Sequence, residues 1–512
     1  MTRGSVHGPE EIRHGNCREG SARVTRRPRG IGASIDAARA ESSARRELAC
    51  PASADACTSR GRPAAGSRGD PSQVTSEPPE RPTTDRRQPW SMATKIAFRF
   101  CFVYFGLFCL VFAQILFVFT GFVGRWLPDR AILWQMVLLD PLLSWVGRTV
   151  FGVDATLNLD SGSGDQLVIW LLVFCLFTLA VVATVIWSVL DRARADYTRL
   201  WAWFLTFLRL CVAGQMLFYG IAKLIPTQMP APGLATLLRP YGEFSPASVL
   251  WLQVGSSYPY EMVLGAVEVL AGILLFVPRT ATLGALVGLV SMAQVFLLNM
   301  TFDVPVKILS GHLLLMSFVL LAPQVRRLVD LFVLQRPVGP LSQPELFDDP
   351  RSRRISTRVQ AVLGVWALIG CVVITGSGWF EYGGGRDKHE LYGIWAVSEF
   401  VVDGKPLPPL TTDQTRWKHV VFDEPGVLTY QRMDGALVPA PAEFDDGTIA
   451  VSDDQGGTVA DFRVSRPDPQ HLELDGRVAG RPAHITLEEV DPNGFTLRNR
   501  GFHWVQEYPY FR

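Results

Sequence analysis

Ionisable residues recur within stretches of this chain that are otherwise apolar. The segment LLNMTFDVPVKILSGHLLLM, residues 297–316, contains Asp303, Lys307 and His312 and is interrupted by Pro305. A lone charge in hydrocarbon costs at least about 2.5–3.5 kcal/mol on insertion scales. Such groups therefore either pair with one another or line a site for a ligand or a proton, and the sequence leaves both interpretations open.

A neighbouring segment carries two carboxylates with helical spacing. Glu261, Gly265, Glu268 and Gly272 follow one another at intervals of four, three and four, which places them on one stripe of a helix. Because glycine permits close approach between helices, we expect this stripe to face protein and not lipid.

The candidate ligand or proton site combines these groups with polar residues of the adjacent segments, and no catalytic residue is assigned within it. Its members are Tyr219, Lys223, Glu261, Glu268, Asn299, Asp303, Lys307 and His312. We expect the acids and bases among them to pair, so that Asp303→Leu or Glu268→Leu destabilises the protein far more than Arg279→Leu. Arg209 lies apart, midway along an apolar segment, where snorkelling or pairing is expected.

The elements that position these residues are apolar segments of about twenty residues, the length that crosses a bilayer as a helix. The chain has 512 residues, of which 48% are hydrophobic. We predict an integral membrane protein with seven transmembrane helices, at about 97–123, 166–190, 200–224, 259–277, 280–301, 306–323 and 358–377. Asp165 is the predicted N-cap of the second span. Residues 129–147, broken by Asp140-Pro141, are predicted to form a helix in the membrane interface.

Arginine is concentrated in alternate connections between these segments, at 191–199, 278–280 and 324–357. Cytoplasmic connections carry an excess of Lys and Arg. We therefore expect a cytoplasmic N-terminus, and a C-terminus outside the plasma membrane.

Residues 1–91 contain sixteen Arg and no Lys, together with abundant Gly, Pro and Ser. This composition predicts disorder. A second interpretation is that translation starts at Met92, whose segment MATKIAFRF resembles the start of a membrane protein. The arginines are scattered and no aromatic residues alternate with them, so we expect no nucleic-acid binding.

From Leu391 the sequence consists of short alternating segments separated by four Asp-Gly pairs, at 403–404, 434–435, 446–447 and 475–476. Asp-Gly supplies the positive φ angles of two-residue hairpins. We predict an all-β antiparallel domain of eight or nine strands, closed or nearly closed into a barrel. The aromatic C-terminal segment RNRGFHWVQEYPYFR is expected to plug the barrel or dock on the membrane domain, or to line a ligand mouth.

The opening of this domain, LYGIWAV, resembles the Gly-x-Trp first strand of lipocalin-like barrels, with Gly393 and Trp395 in the matching positions. The resemblance implies that a late arginine, Arg500 or Arg512, closes one end of the barrel against Trp395.

The segments FYGIAKLIP (218–226) and GAVEVLAGILLFVPRTATLGA (265–285) resemble the DoxX-like family of bacterial membrane proteins over about 200–323. The resemblance implies a compact four-helix membrane bundle in the bacterial plasma (inner) membrane. It extends to the matching positions Gly220, Lys223, Gly265, Glu268, Gly272, Arg279 and Gly284. The family includes the DoxD subunit of an archaeal thiosulfate:quinone oxidoreductase, which implies a quinone as one candidate ligand.

The predicted organisation has six parts. They are the tail 1–91, a transmembrane helix pair with an interfacial helix at 92–199, the DoxX-like bundle at 200–336, a cytoplasmic linker at 337–357, a seventh helix at 358–380 and a lipocalin-like barrel at 389–512.

Two functions remain open, and the sequence does not decide whether the protein is an enzyme. The first is binding of an amphiphilic or lipid-like ligand in the outer half of the membrane, with help from an exported barrel. The second is a quinone-interacting oxidoreductase subunit, in which His312, Lys223 and Tyr219 donate to the quinone carbonyls and Glu268 relays protons. That function would need a redox partner subunit, because the sequence has no haem, flavin, iron–sulfur or metal signature.

Overall fold

The structure is a computed structural model that describes residues 89–341, 343–453 and 455–511. The predicted tail lies outside these residues up to position 88. Within the described residues the protein is mainly helical, with seven helices long and apolar enough to cross a membrane, followed by a closed antiparallel β-barrel. This is the fold class that the sequence predicts.

The helices precede the barrel in the chain, except for one short helix at its end. Their bounds are α1 Met92–Val111, α2 Ala113–Phe117, α3 Trp134–Val146, α4 Leu167–Leu190, α5 Thr198–Leu224, α6 Leu234–Leu237, α7 Pro246–Gly255, α8 Tyr258–Phe276, α9 Ala281–Thr301, α10 Lys307–Leu321, α11 Val325–Phe332, α12 Pro350–Glu381 and α13 Thr496–Asn499. The seven candidate spans are α1, α4, α5, α8, α9, α12 and the segment Lys307–Phe332, which contains α10 and α11.

The first span is not the single helix that the sequence predicts for 97–123. Helix α1 ends at Val111, Phe112 has an extended backbone (ψ 111°), and a 3₁₀ segment follows at Val118–Trp126. The 3₁₀ segment packs closely on α12, where the indole of Trp366 donates a hydrogen bond to the carbonyl of Phe119 over 3.0 Å. The backbone groups released by the broken helix are thus satisfied in part by a neighbouring element.

Helix α12 begins earlier than predicted and takes up part of the predicted linker 337–357. Asp349 caps it, because its carboxylate accepts hydrogen bonds from the backbone N–H of Ser352 (2.8 Å) and from the Ser352 hydroxyl (3.0 Å). These bonds favour the ionised carboxylate and lower the pKa of Asp349.

The strands form a single antiparallel sheet. They are β1 Gly393–Val402, β2 Lys405–Pro406, β3 Trp417–Phe422, β4 Val427–Arg432, β5 Leu437–Asp445, β6 Thr448–Ser452, β7 Thr458–Asp468, β8 His471–Val478 and β9 Arg481–Val490. Strands β1 and β3 to β9 pair in chain order, and β1 also pairs with β9, which closes an eight-stranded barrel. The two residues of β2 extend a hairpin from β1.

The barrel interior is filled by its own side chains. Trp395, Phe400, Trp417, Phe462 and Leu474 are all buried in one continuous apolar cluster. The alternation of the strands therefore builds a packed core.

Three of the four predicted Asp-Gly turns lie between strands, and one prediction was wrong. Asp475-Gly476 lies inside β8, paired with β7 and β9. The β8–β9 turn instead uses Ala479-Gly480, with φ angles of 49° and 76°. Gly476 is required for another reason, since a Cβ there would collide with the backbone carbonyl of Asp461.

Of the two predicted arginine partners of Trp395, Arg500 was wrong. The guanidinium carbon of Arg466, in β7, lies 5.6 Å from the centre of the Trp395 ring. Arg500 instead contacts His503 and Tyr510, and Arg512 lies outside the described residues. The aromatic segment after α13 does not plug the barrel, because its side chains are exposed, Trp504 to 91%. That this segment docks on the membrane domain or lines a ligand mouth stays a prediction.

Candidate functional site

The site is built on close packing between α5 and α8. The stripe of Glu261, Gly265, Glu268 and Gly272 is buried against protein, as the sequence predicts. A Cβ added at Gly265 would lie 2.6 Å from the carbonyl oxygen of Gly220 on α5. The absence of side chains at these glycines lets the two backbones touch, which brings the polar groups of the two helices within reach of each other.

Lys223 and Glu268 form a buried ion pair across this contact. The Nζ atom of Lys223 lies 2.7 Å from Oε2 of Glu268, and the two side chains are 8% and 3% exposed. The ring of Tyr219 lies 5.7 Å from the same ammonium group, and its hydroxyl accepts a 2.6 Å hydrogen bond from the amide of Gln114. Breaking such a pair on one side would leave a buried charge without compensation.

Glu261 does not join this pair, contrary to the expectation that every acid would meet a base. Its Oε1 atom accepts a 3.0 Å hydrogen bond from the backbone N–H of Met229, in the loop after α5. Its Oε2 atom is buried with no hydrogen-bond partner among the described residues. The carboxyl group therefore anchors the loop to α8.

A cavity of about 440 Å³ lies between α5, α8, α9 and α10. Apolar side chains form most of its lining, and Trp251 and Gln228 cover the end nearest the loop, where the indole N–H of Trp251 donates to the carbonyl of Gln228 over 3.1 Å. The predicted site residues that line the cavity are Tyr219, Lys223, Glu268 and Asn299.

Two further features of this cavity were not apparent in the sequence. The amide of Asn299 donates to the hydroxyl of Ser310 over 3.0 Å, so a second polar pair lies in the lining. Val267, Val290 and Gln294 line the cavity and are also exposed on the outer surface of the bundle, Val290 to 70%. The cavity therefore opens sideways, between α8 and α9, onto the outer surface of the bundle.

Asp303 and Lys307 form a different group, near the start of α10. Lys307 Nζ lies 2.9 Å from Asp303 Oδ1 and 3.7 Å from Asp165 Oδ2, and the Asp303 side chain is 84% exposed. The expectation that loss of Asp303 strands a buried charge is therefore wrong.

The prediction that Asp165 caps the second span was wrong, because Asp165 caps α10. Its two carboxylate oxygens accept hydrogen bonds from the backbone N–H groups of Lys307 (2.8 Å) and Ile308 (2.9 Å). The N-cap of α4 is Gln166, with no side-chain capping bond. Asp165 thus ties the loop before α4 to the start of a distant helix.

His312 lies outside the cavity. Its Nδ1 atom is 2.6 Å from the carbonyl of Ile308, its Nε2 atom is 2.8 Å from the hydroxyl of Tyr104, and its ring stacks on Phe108 with centres 3.9 Å apart. The carbonyl must receive the Nδ1 proton, so Nε2 accepts from Tyr104. Both ring nitrogens are occupied within the protein, which leaves His312 no donor for a ligand in the cavity.

The loop that covers the cavity is held by the barrel. Leu234, in α6, is fully buried against Ile394 and Val421 of the barrel. Its backbone N–H donates to Asp423 Oδ2 over 2.6 Å, and Arg386 donates to Asp423 Oδ1 over 2.8 Å. Nearby, burial and then the charge of Asp423 raise the pKa of Tyr392.

Among the described residues, no group of three or more His, Cys, Asp or Glu side chains could hold a metal ion. The cysteines at 101, 109, 175, 211 and 371 are free thiols.

No family model matches the chain, and no solved structure matches it. The protein YwoB of Bacillus subtilis strain 168, described as uncharacterised, is 32% identical over 139 residues. The match covers 25% of this chain and 82% of YwoB. The chain therefore belongs to the same family as YwoB.

Proposed function

We propose that this membrane protein binds an amphiphilic, lipid-like ligand in the cavity between α5, α8, α9 and α10, in the half of the membrane nearest the barrel. The observation that carries the proposal is the sideways opening at Val290 and Gln294, which gives an apolar chain access from the bilayer. The volume of about 440 Å³ is within the range of small-molecule sites.

The lining matches the two parts of an amphiphile. Apolar side chains from four helices offer a surface for a hydrocarbon chain, and burial of each CH₂ group contributes about 0.8 kcal/mol. Lys223, Glu268 and Asn299 offer hydrogen-bonding groups for a polar head. Because Lys223 and Glu268 already neutralise each other, this site favours a head group that has no net charge.

The barrel contributes by positioning the loop over the cavity, and its own interior is full. Leu234 and Asp423 connect the loop to the barrel a few residues beyond Gln228 and Met229. We place the barrel outside the bacterial plasma membrane and the N-terminus in the cytoplasm, on the basis of the arginine-rich connections. The DoxX-like character of the bundle is part of the same proposal, supported by Gly220, Gly265 and the Lys223–Glu268 pair.

Photo-crosslinking tests this proposal. The purified full chain is reconstituted with a phosphatidylcholine that carries a diazirine in its acyl chain, and labelled peptides are identified after proteolysis. We expect labelling of the α8 and α9 residues that line the cavity, and a decrease of about tenfold in Ser291→Phe, which fills the cavity.

The matched control is Leu283→Phe, on the same helix but exposed outside the cavity. Val290→Phe, at the opening, provides a second test if Ser291→Phe does not fold. Equal labelling of the cavity residues in Ser291→Phe, Val290→Phe and Leu283→Phe would overturn the proposal.

A quinone-interacting subunit of an oxidoreductase is the second candidate function. The observation that favours it is that Lys223 and Tyr219 both line the cavity, where they are able to hydrogen-bond quinone carbonyls. His312 is excluded from this role by its position, and electrons would have to come from a partner subunit.

Quinone titration of the purified protein, followed by redox difference spectra, distinguishes the two candidates. A quinone that displaces the photo-reactive lipid and is reduced when a partner is added would favour the second candidate. If the quinone neither displaces the lipid nor is reduced, the second candidate is excluded.

A further inference from the structure

A second cavity, of about 760 Å³, lies at the opposite end of the bundle from the barrel. It is formed by α5, the end of α8, the first turns of α12 and the segment before α12. Five arginines line it, but only one carboxylate among the described residues does. The charged lining residues are Arg209, Arg279, Arg353, Arg354, Arg358 and Glu345.

Arg209 is the most buried of these cations and has no anionic partner among the described residues. Its side chain is buried, and its guanidinium donates to the carbonyl of Leu275 and to the side-chain oxygen of Gln360. Both acceptors are neutral. A buried cation that meets only neutral dipoles keeps much of its desolvation penalty, so a nearby anion would stabilise it.

The rim of the cavity adds uncompensated charge. Arg353 pairs with Glu345 at 2.6 Å, which uses the one lining carboxylate. Arg279, Arg354 and Arg358 form no ion pair with any described residue, and all three are exposed to the cavity mouth or to solvent. Four arginine residues, counting Arg209, therefore line one cavity without an ion-pair partner among the described residues.

We infer that this cavity binds a phosphate-bearing anion. Guanidinium groups bind phosphate oxygens through paired, charge-assisted hydrogen bonds, and five arginine residues line this cavity. Basic pockets between transmembrane helices are suited to anionic lipid head groups. This cavity lies at the end of α12 away from the barrel, where the head groups of one leaflet would lie if α12 crosses a bilayer. The phosphate belongs either to such a head group or to a soluble phosphate compound. The inference uses a different cavity from the proposed function and does not depend on it.

Binding measurements on the full chain in a neutral detergent test the inference. The probes are short-chain phosphatidylglycerol, short-chain phosphatidylcholine and pyrophosphate, each followed by native mass spectrometry and by a titration that gives a Kd. We expect phosphatidylglycerol or pyrophosphate to bind more tightly than phosphatidylcholine. The R354Q/R358Q variant should bind the preferred probe about tenfold more weakly.

The matched control is R326Q/R336Q, which removes two exposed arginines from the nearby α11 region but none from the cavity. Its Kd should stay within about twofold of the unmodified protein. A preference for phosphatidylglycerol that R354Q/R358Q abolishes assigns the site to a lipid head group, and the same result for pyrophosphate assigns it to a soluble compound. Equal binding of all three probes, or equal Kd values in the two double variants, would overturn the inference.

Discussion

Helix α5 buries two cations, and they are compensated in different ways. Lys223, near the barrel, meets the carboxylate of Glu268 at 2.7 Å, whereas Arg209, on the same helix toward the other end, meets only carbonyl and amide oxygens. The first cation is neutralised by the protein itself, so the amphiphile that we propose for the cavity beside it needs no charged partner. The second is not, so its cavity is suited to an anion. Electrostatic compensation distinguishes the two sites more clearly than their apolar linings do.

The largest expected effect comes from Glu268→Leu, which would strand Lys223. We expect the free energy of unfolding to fall by about 3–5 kcal/mol, because an ammonium group would remain buried without its partner. Thermal melting in detergent measures this change. The double variant Lys223→Met/Glu268→Leu, which strands no charge, should be more stable than Glu268→Leu alone. A less stable double variant would show that the stranded charge of Lys223 is not what destabilises Glu268→Leu.

Gln360→Leu tests the other cation. Removing the amide oxygen takes away one of the two acceptors of Arg209, and loss of a hydrogen bond to a charged group costs about 1.5–3 kcal/mol. Gln253→Leu, on the exposed surface of α7, is the control and should leave the melting temperature unchanged. An effect as large as that of Glu268→Leu would mean that the two cations depend equally on their partners. The charge of the partner would then not distinguish Lys223 from Arg209.

Gly265→Ala tests the close packing that brings Lys223 and Glu268 together. The new methyl group would lie 2.6 Å from backbone atoms of Gly220 and Leu224, so we expect a loss of about 1–3 kcal/mol from overpacking. Gly376→Ala, in α12, has no atom within 4 Å of the added Cβ and serves as the control. Unchanged melting of Gly265→Ala would show that the helices have room to separate.

Asp303→Asn should have the smallest effect, although Asp303 also faces a lysine. The Asp303 carboxylate is 84% exposed, and ion pairs at exposed positions contribute about 0.2–1 kcal/mol. Asn tolerates the positive φ of 55° at this position, so the substitution changes the charge alone. Melting at low and high salt measures the effect. A loss comparable with that of Glu268→Leu would contradict the distinction between buried and exposed pairs.

Features that depend on neighbouring residues in the chain were predicted well. The seven apolar segments, the buried stripe from Glu261 to Gly272 and the alternating strands all follow from local spacing, which decides length and amphipathic face. The break at Phe112 and the early start of α12 were missed, because packing between the 3₁₀ segment and α12 is not visible in either segment alone.

The partners of the polar groups were predicted less well. Asp165 is a residue type that often caps helices and it directly precedes the second span, but its carboxylate binds the start of α10. Trp395 was expected to meet Arg500 or Arg512 and meets Arg466, because the barrel register brings β7 to that end. His312 was grouped with the cavity residues, yet its ring is turned toward Tyr104 and Phe108.

The sequence by itself determined that ionisable groups lie in or next to helices long and apolar enough to cross a membrane, and that two glycines and two carboxylates share one face of α8. Only the tertiary structure decided which of these groups meet, which line a cavity and which lie at the surface. The physical reason is that helical periodicity fixes the face on which a side chain lies. The rotation and contact of one helix against another depend on the packing of the whole bundle.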